Sequence, residues 1–332
     1  MEENMPLTEG FNADEAKEFL EICYEVNGRV VKGDPKPPPP TPFPPGFKLP
    51  PAPTKWQLFY APKSSFKPGD NYFEIWQSIN KKNRFAVCFR GTTNAITSIL
   101  EDALVIMIPA SVSFTFLGKK HTISLAKDPR ARVHTGFTIG LASMLPDLLL
   151  QLEVILGLSP EPELFIIGHS QGAALATLCT SFLHYQQLYS IEPVSVKTYV
   201  FAQPKPGNDY YGYDFEHITA NRDCVNSKGF RVTNTQDWVP QVPLAIQLPS
   251  DLSHPNPLTT TDIYSKYPLL KKVIETIESL KLPTTLNYFG CGTPILLEGI
   301  PGINSADHDD FFWQHHAAQY YNLLIKQFPT AG

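Results

Sequence analysis

The sequence lacks most of the features that would commit it to a nucleic acid, a membrane or a metal. Only 18% of its 332 residues are charged, with 27 Lys and Arg against 32 Asp and Glu, and no basic block is present to neutralise phosphates. No nucleic-acid partner is therefore expected. The longest apolar run, ALVIMIPASVSFTFLG from Ala103, is too short for a bilayer span, contains Pro109 and follows Glu101 and Asp102 directly, so no transmembrane segment is expected. The five cysteines are odd in number and scattered, and Cys88 and Cys179 sit in apolar stretches, which suits buried, reduced thiols. There is no HExxH and no pair of CxxC motifs, so neither a metal nor any other cofactor is expected. The start, MEENMPLTEGF, has neither a basic region nor an apolar core, and no N-x-S/T sequon occurs. The expectation is a soluble protein, cytoplasmic or secreted without a visible signal peptide.

Proline is abundant and unevenly placed. Eleven of the 32 prolines fall between Pro35 and Pro53, which predicts an extended polyproline segment. Before it, Ala13 to Val26 has the apolar spacing of a helix, with Phe19, Leu20, Cys23 and Tyr24 on one face. Residues 1–55 thus read as a helix and proline-rich arm packed on a body formed by 56–332. In that body, NYFEIWQS, RFAVCFRG, ELFIIGH, SVKTYVFAQP, GFRVTN and TPILLEG read as strands, and GFTIGLASMLPDLLLQLEVIL and HHAAQYYNLLIKQF as helices. Alternation on this scale predicts an α/β fold with a mostly parallel sheet covered on both faces. The stretch 246–286 is the least regular, with a surface helix expected near 269–280.

One turn in this pattern carries chemistry. In FIIGHSQGA, Ser170 stands between an apolar strand and a small-residue helix, with Gly168 and Gly172 two residues to either side. A serine there can be a helix N-cap. The glycines favour more, because a sharp strand-to-helix turn needs positions without Cβ, and G-x-S-x-G in that context is a nucleophile elbow. A serine hydroxyl is a weak nucleophile at neutral pH and needs a neutral histidine oriented by a carboxylate. Asp237, directly after the GFRVTN strand and followed by Pro240 and Pro243, is the leading carboxylate. The histidine comes from DHDDFFWQHHAAQYYNLL, which offers His308, His315 and His316, the last two directly before the terminal helix. The neighbouring Asp307, Asp309 and Asp310 read as a solvated loop. For the oxyanion, the backbone N–H of Gln171 is one donor, and the turn after CFRG, where Gly91 lets Thr92 face the pocket, supplies the second.

Six ordered segments, FRGT at Phe89, VHTGF at Val133, GHSQGAALATL at Gly168, FAQPKPGN at Phe201, RVTNTQDWVPQVP at Arg231 and QHHAAQYYNLL at Gln314, make the chain similar to the class 3, fungal-type triacylglycerol lipases of the α/β-hydrolase superfamily. The resemblance implies Ser170 as nucleophile, Asp237 as acid, and Thr92 with Gln171 as oxyanion hole. In that family the histidine precedes a tyrosine by about one helical turn, which fits His315 with Tyr320 and also His316 with Tyr321; His315, following WQ, is favoured. His134 in VHTGF occupies a family position near the site and reads as structural. The residues from Ile96 to Leu117 stand where the family carries its lid, so transient contact with a lipid interface is implied. Many members read GHSLGGALA; this chain has Gln171 and Ala173, which leaves the backbone donor in place. The implied activity is hydrolysis of acyl esters, chiefly acylglycerols, with phospholipase A1, feruloyl-type or polyester-active esterase as variants and a non-enzymatic lipid-binding scaffold as the other class. With a histidine base, activity should decline on acidification through roughly pH 6 to 7.

Overall fold

In the computed structural model, residues 10–32, 34, 47–91, 107–116, 119–159, 161–185, 195–220, 227–243, 245, 275, 286–300 and 312–329 are described. The central sheet runs β1(Trp56–Tyr60), β2(Phe73–Ser78), β3(Arg84–Phe89), β8(Glu163–His169), β9(Ser195–Phe201), β11(Gly229–Asn234) and β13(Thr293–Leu297), in that spatial order. The first three pair antiparallel, and β3 through β13 are parallel. All six expected strands are in this sheet. What the sequence pattern did not separate is the edge strand β1 and the small strands that flank the body: β4(Met107–Pro109), β7(Arg132–His134), β10(Gly207–Asn208) and β12(Tyr288–Phe289) form a second sheet, and β5(Ser111–Phe116) with β6(Lys119–Ser124) a hairpin. Two- and three-residue strands are too short to show an alternation.

Alternate residues of the parallel strands feed two cores. Phe85, Val87 and Phe89 of β3 point to one face, where they meet α2(Thr135–Leu158), α3(Gln171–Tyr185) and α4(Asp209–Thr219). Ala86 and Cys88 point to the other, against α1(Ala13–Asn27) and α5(Ala317–Gln327). This is the period-2 consequence of a sheet buried on both sides. Helix α1 begins at Asn12, whose side chain accepts from the backbone N–H groups of Asp14 and Glu15 at 2.9 and 3.1 Å. It buries Phe19, Leu20, Ile22 and Cys23, and its Glu15 takes hydrogen bonds from Lys197 at 2.7 Å and Tyr199 at 2.8 Å across the sheet. The described end of the proline-rich arm lies on α5: Lys48 and Asn322 exchange two hydrogen bonds, and Phe47 meets Trp313 at 5.0 Å between ring centroids.

The described part of the segment expected as the lid, 107–116, is strand: it pairs as β4 with β7 and as β5 with β6. Helix α2 is long and apolar enough to cross a membrane by length and composition. It lies on the sheet, with Leu141, Met144, Leu148, Leu152 and Ile155 buried, while Ile139, Leu150, Val154 and Leu158 face outward. Cys23, Cys88, Cys179 and Cys291 are buried free thiols, as expected; Cys224, the expected helix near 269–280 apart from Glu275, and the rest of the expected lid lie outside the described residues.

Candidate active site

The carboxyl ends of β3, β8, β9 and β11 converge on Ser170. Strand β8 delivers it, α3 starts at the next residue, and Ser170 itself adopts φ 59°, the left-handed region that costs a residue with a Cβ. The turn holds because its backbone is bonded on both sides: the N–H of Ser170 donates to the Phe201 carbonyl at 3.0 Å and its own carbonyl accepts from Ala173 at 2.9 Å. The flanking glycines are required by contact. A Cβ on Gly168 would strike the carbonyl of Gly172, and a Cβ on Gly172 would strike the carbonyl of Phe89. The strained serine is thus aimed by close approach of β3, β8 and α3.

His315 closes on it from the opposite side. It ends a short 3-10 turn, Trp313–His315, and its Nε2 lies 2.8 Å from Ser170 Oγ. Its Nδ1 lies 2.9 Å from Asp237 Oδ2, which also accepts the Tyr320 hydroxyl at 2.7 Å, while Asp237 Oδ1 accepts the backbone N–H of Val239 at 3.0 Å. These partners fix the proton. A carboxylate surrounded by donors makes Nδ1 the N–H side of the imidazole, which leaves Nε2 as the acceptor for the serine hydroxyl. Burial and the Asp237 carboxylate push the Tyr320 phenol well above its usual pKa, keeping it a donor. Ser170, Asp237 and His315 are 7%, 3% and 7% exposed, so these hydrogen bonds lie in a largely dehydrated setting.

The paired histidines are placed differently. His315 makes both bonds, whereas His316 is the residue before α5 and its ring stands 6.1 Å from Trp313. The spacing to a tyrosine one turn on acquires a reason, since Tyr320 reaches the same carboxylate oxygen as His315. Gln171 opens α3, at the positive end of its dipole, and its Nε2 donates to Asn71 Oδ1 at 3.3 Å. His134 caps α2, its Nδ1 accepting the N–H of Phe137 at 3.3 Å with the two rings stacked. Thr92, His308, Asp307, Asp309 and Asp310 lie outside the described residues.

Sequence reasoning missed three supports. Asn234, the last residue of β11, donates to both the backbone and side-chain oxygens of Gln314 at 2.9 Å and so anchors the turn that carries His315. His169 Nε2 donates to the His315 carbonyl oxygen, 2.7 Å away, and Asn27 reaches His169 and Gly91. None of the three has a spacing signal of its own. Away from these residues, β4 and β6 meet α2 around a mostly apolar pocket of about 230 Å³ lined by Ile108, Pro109, Ile123, Leu125, Thr138 and Ile139.

A mostly parallel sheet with a strained serine between strand and helix is the α/β-hydrolase fold. The fold matches solved fungal lipases: a mutant of the Penicillium cyclopium lipase MDLA superposes with a TM-score of 0.51 at 16% identity, over 90% of this chain and 86% of that one. Residues 86–247, just under half of the chain, match the class 3 lipase family model. Among curated proteins it is 35% identical over 98 residues to the secreted mono- and diacylglycerol lipase A of Penicillium cyclopium, covering 30% of this chain and 28% of the relative. It is 27% identical over 188 residues to the secreted mono- and diacylglycerol lipase MDL2 of Malassezia globosa, covering 55% of each. The alignments therefore span about a quarter to a half of these relatives.

Proposed function

We propose that this lipase-family protein hydrolyses acylglycerol esters through an acyl-serine intermediate, with Ser170 as nucleophile, His315 as base and Asp237 as its orienting acid. The observation that carries the reading is the continuous bonding from Asp237 Oδ2 through His315 to Ser170 Oγ, at 2.9 and 2.8 Å. In the forward step the Ser170 proton passes to His315 Nε2 as Oγ bonds to the ester carbonyl carbon. The proton then passes to the departing alkoxy oxygen as the C–O bond breaks. A water repeats the sequence on the acyl-serine: its proton goes to Nε2, its oxygen to the carbonyl carbon, and the proton returns to Ser170 as the fatty acid leaves. Asp237 keeps the imidazole oriented and stabilises the imidazolium formed at each transfer. The oxyanion is assigned to the backbone N–H of Gln171, beside the nucleophile at the helix start, and to Thr92 beyond the end of β3. The finer class, acylglycerol lipase as against phospholipase A1 or another esterase, rests on the names of the relatives.

The test compares the wild type with Ser170→Ala on p-nitrophenyl esters of graded chain length and on emulsified mono-, di- and triacylglycerols. Turnover by the wild type alone, on acylglycerols, supports the reading. Equal rates in the two proteins, or no turnover on any ester, overturn it.

A further inference from the structure

A second polar network leads out of the site into the N-terminal helix. Asn27, the last residue of α1, is half-buried, and its Oδ1 accepts the backbone N–H of Gly91 at 2.9 Å. That bond fixes the amide, so Nδ2 is the atom facing His169 Nδ1 at 3.3 Å. Across the ring, His169 Nε2 lies 2.7 Å from the carbonyl oxygen of His315. A carbonyl only accepts, so Nε2 carries the proton and Nδ1 offers its lone pair to Asn27. Burial and the adjacent His315 and His316 hold His169 well below the usual imidazole pKa, which agrees with a neutral ring of this single tautomer.

Gly91 is held from its other side too. The preceding Arg90 forks onto Asp34 at 2.7 and 2.8 Å and donates to the carbonyl oxygens of Arg29 and Asp70 at 3.0 and 2.7 Å, so the exit of β3 is tied to the chain that follows α1. That exit presses on the serine turn: a Cβ on Gly91 would stand 3.1 Å from the His169 carbonyl oxygen and 3.4 Å from Ser170 Cβ. The Gly91 N–H, committed to Asn27, holds the end of this exit against the serine turn.

We propose that Asn27 is a positioning residue for the hydrolysis: through Gly91 it holds the exit of β3 against the serine turn, and through His169 it holds the main chain of His315. The proposal rests on the hydrolase reading above. It places part of the catalytic framework in a helix outside residues 86–247, the segment that defines the family match. Asn27 touches neither the ester nor the reacting atoms, so its loss should loosen groups that act in the transition state and leave ground-state binding of the acyl chain in place. The signature is a fall in kcat at nearly constant KM.

The experiment uses the full chain and three proteins: wild type, Asn27→Leu, which removes both hydrogen bonds at similar volume, and Asn27→Asp, which keeps an oxygen for Gly91. Reactive serine is counted with a phosphonate so that kcat refers to folded enzyme. Asn27→Leu should lower kcat by about ten-fold or more, with KM within about two-fold, since small misplacements of reacting groups cost one to two decades. Asn27→Asp should recover part of the loss. A kcat within about two-fold of wild type, or a change confined to KM or to the serine count, overturns the proposal. If Asn27→Leu does not fold, Asn27→Ser is judged by the same criteria. A wild type inactive on every ester overturns the hydrolase reading itself, whereas an active wild type with an unimpaired Asn27→Leu overturns only the role of Asn27.

Discussion

Replacing Asp237 by asparagine isolates the part of the site that sets the proton on His315. The carboxylate accepts three donors: Val239 N–H at Oδ1, and Tyr320 O–H with His315 Nδ1–H at Oδ2. An amide of the same shape has one accepting oxygen. With its NH2 placed at the Oδ2 position it confronts two donors, and with its NH2 at Oδ1 it confronts the Val239 N–H. The first arrangement can be relieved if Nδ1 of His315 gives up its proton and accepts from the amide, because Tyr320 can rotate its hydroxyl. Nε2 then carries the proton and donates to Ser170 Oγ, and the base is lost. A tautomer change of this kind costs about four orders of magnitude in kcat in serine hydrolases, or roughly 5.5 kcal/mol at about 1.4 per decade. Binding of the acyl chain is untouched, so KM should stay within a few-fold. The assay is steady-state hydrolysis of a soluble ester by Asp237→Asn, normalised to folded protein. A loss smaller than about ten-fold would refute the orientation argument.

Other consequences are smaller in reach. Tyr320→Phe removes one of the donors to Asp237 and leaves the others, so kcat should fall by about ten-fold, the equivalent of one hydrogen bond to a charged group of roughly 1.5 kcal/mol, read in the same ester assay. His169 is held neutral in the folded protein while the unfolded chain takes up its proton near the ordinary imidazole pKa, so its share of stability is complete above about pH 6.5 and declines on acidification until the folded value is reached. Denaturant melts at pH 7 and pH 5.5 should differ by about 1 kcal/mol more in the wild type than in His169→Gln; equal differences would contradict the assignment. Lys197 is fully buried against Glu15, so Lys197→Met strands that carboxylate and should cost about 3 kcal/mol, much of it recovered in the double variant with Glu15→Gln. A Lys197→Met protein as stable as the wild type would show that Arg84 and Tyr199 suffice for Glu15.

What the sequence made legible follows from chemical type and period. The buried parallel strands were readable because both faces are covered, so Phe85 to Phe89 and Leu164 to Ile167 are nearly continuous apolar runs. The elbow was readable because backbone contact at Gly168 and Gly172 permits no side chain. Asp237 could be found from its place after a strand. His315 was favoured over its neighbour only for following WQ, since both lie the same distance before a tyrosine; the orientation of the 3-10 turn and its anchor to Asn234, which bring His315 to Ser170, leave no mark in the sequence. Asn27 and His169 were invisible for the same reason. Their partners lie 64 and 146 residues away, and hydrogen bonds between distant segments leave no period in the chain. The strands at 107–116 were not anticipated, because they are short and pair with segments that the sequence does not mark as partners.

The most direct test of the central claim is covalent. The wild type, Ser170→Ala, His315→Ala and His316→Ala are treated with a serine-directed phosphonate and the modified peptide is sequenced by mass spectrometry. The account requires the adduct on Ser170 in the wild type and in His316→Ala, with labelling lost in Ser170→Ala and slowed by orders of magnitude in His315→Ala. An adduct on another residue, or labelling that survives His315→Ala and fails in His316→Ala, would contradict it.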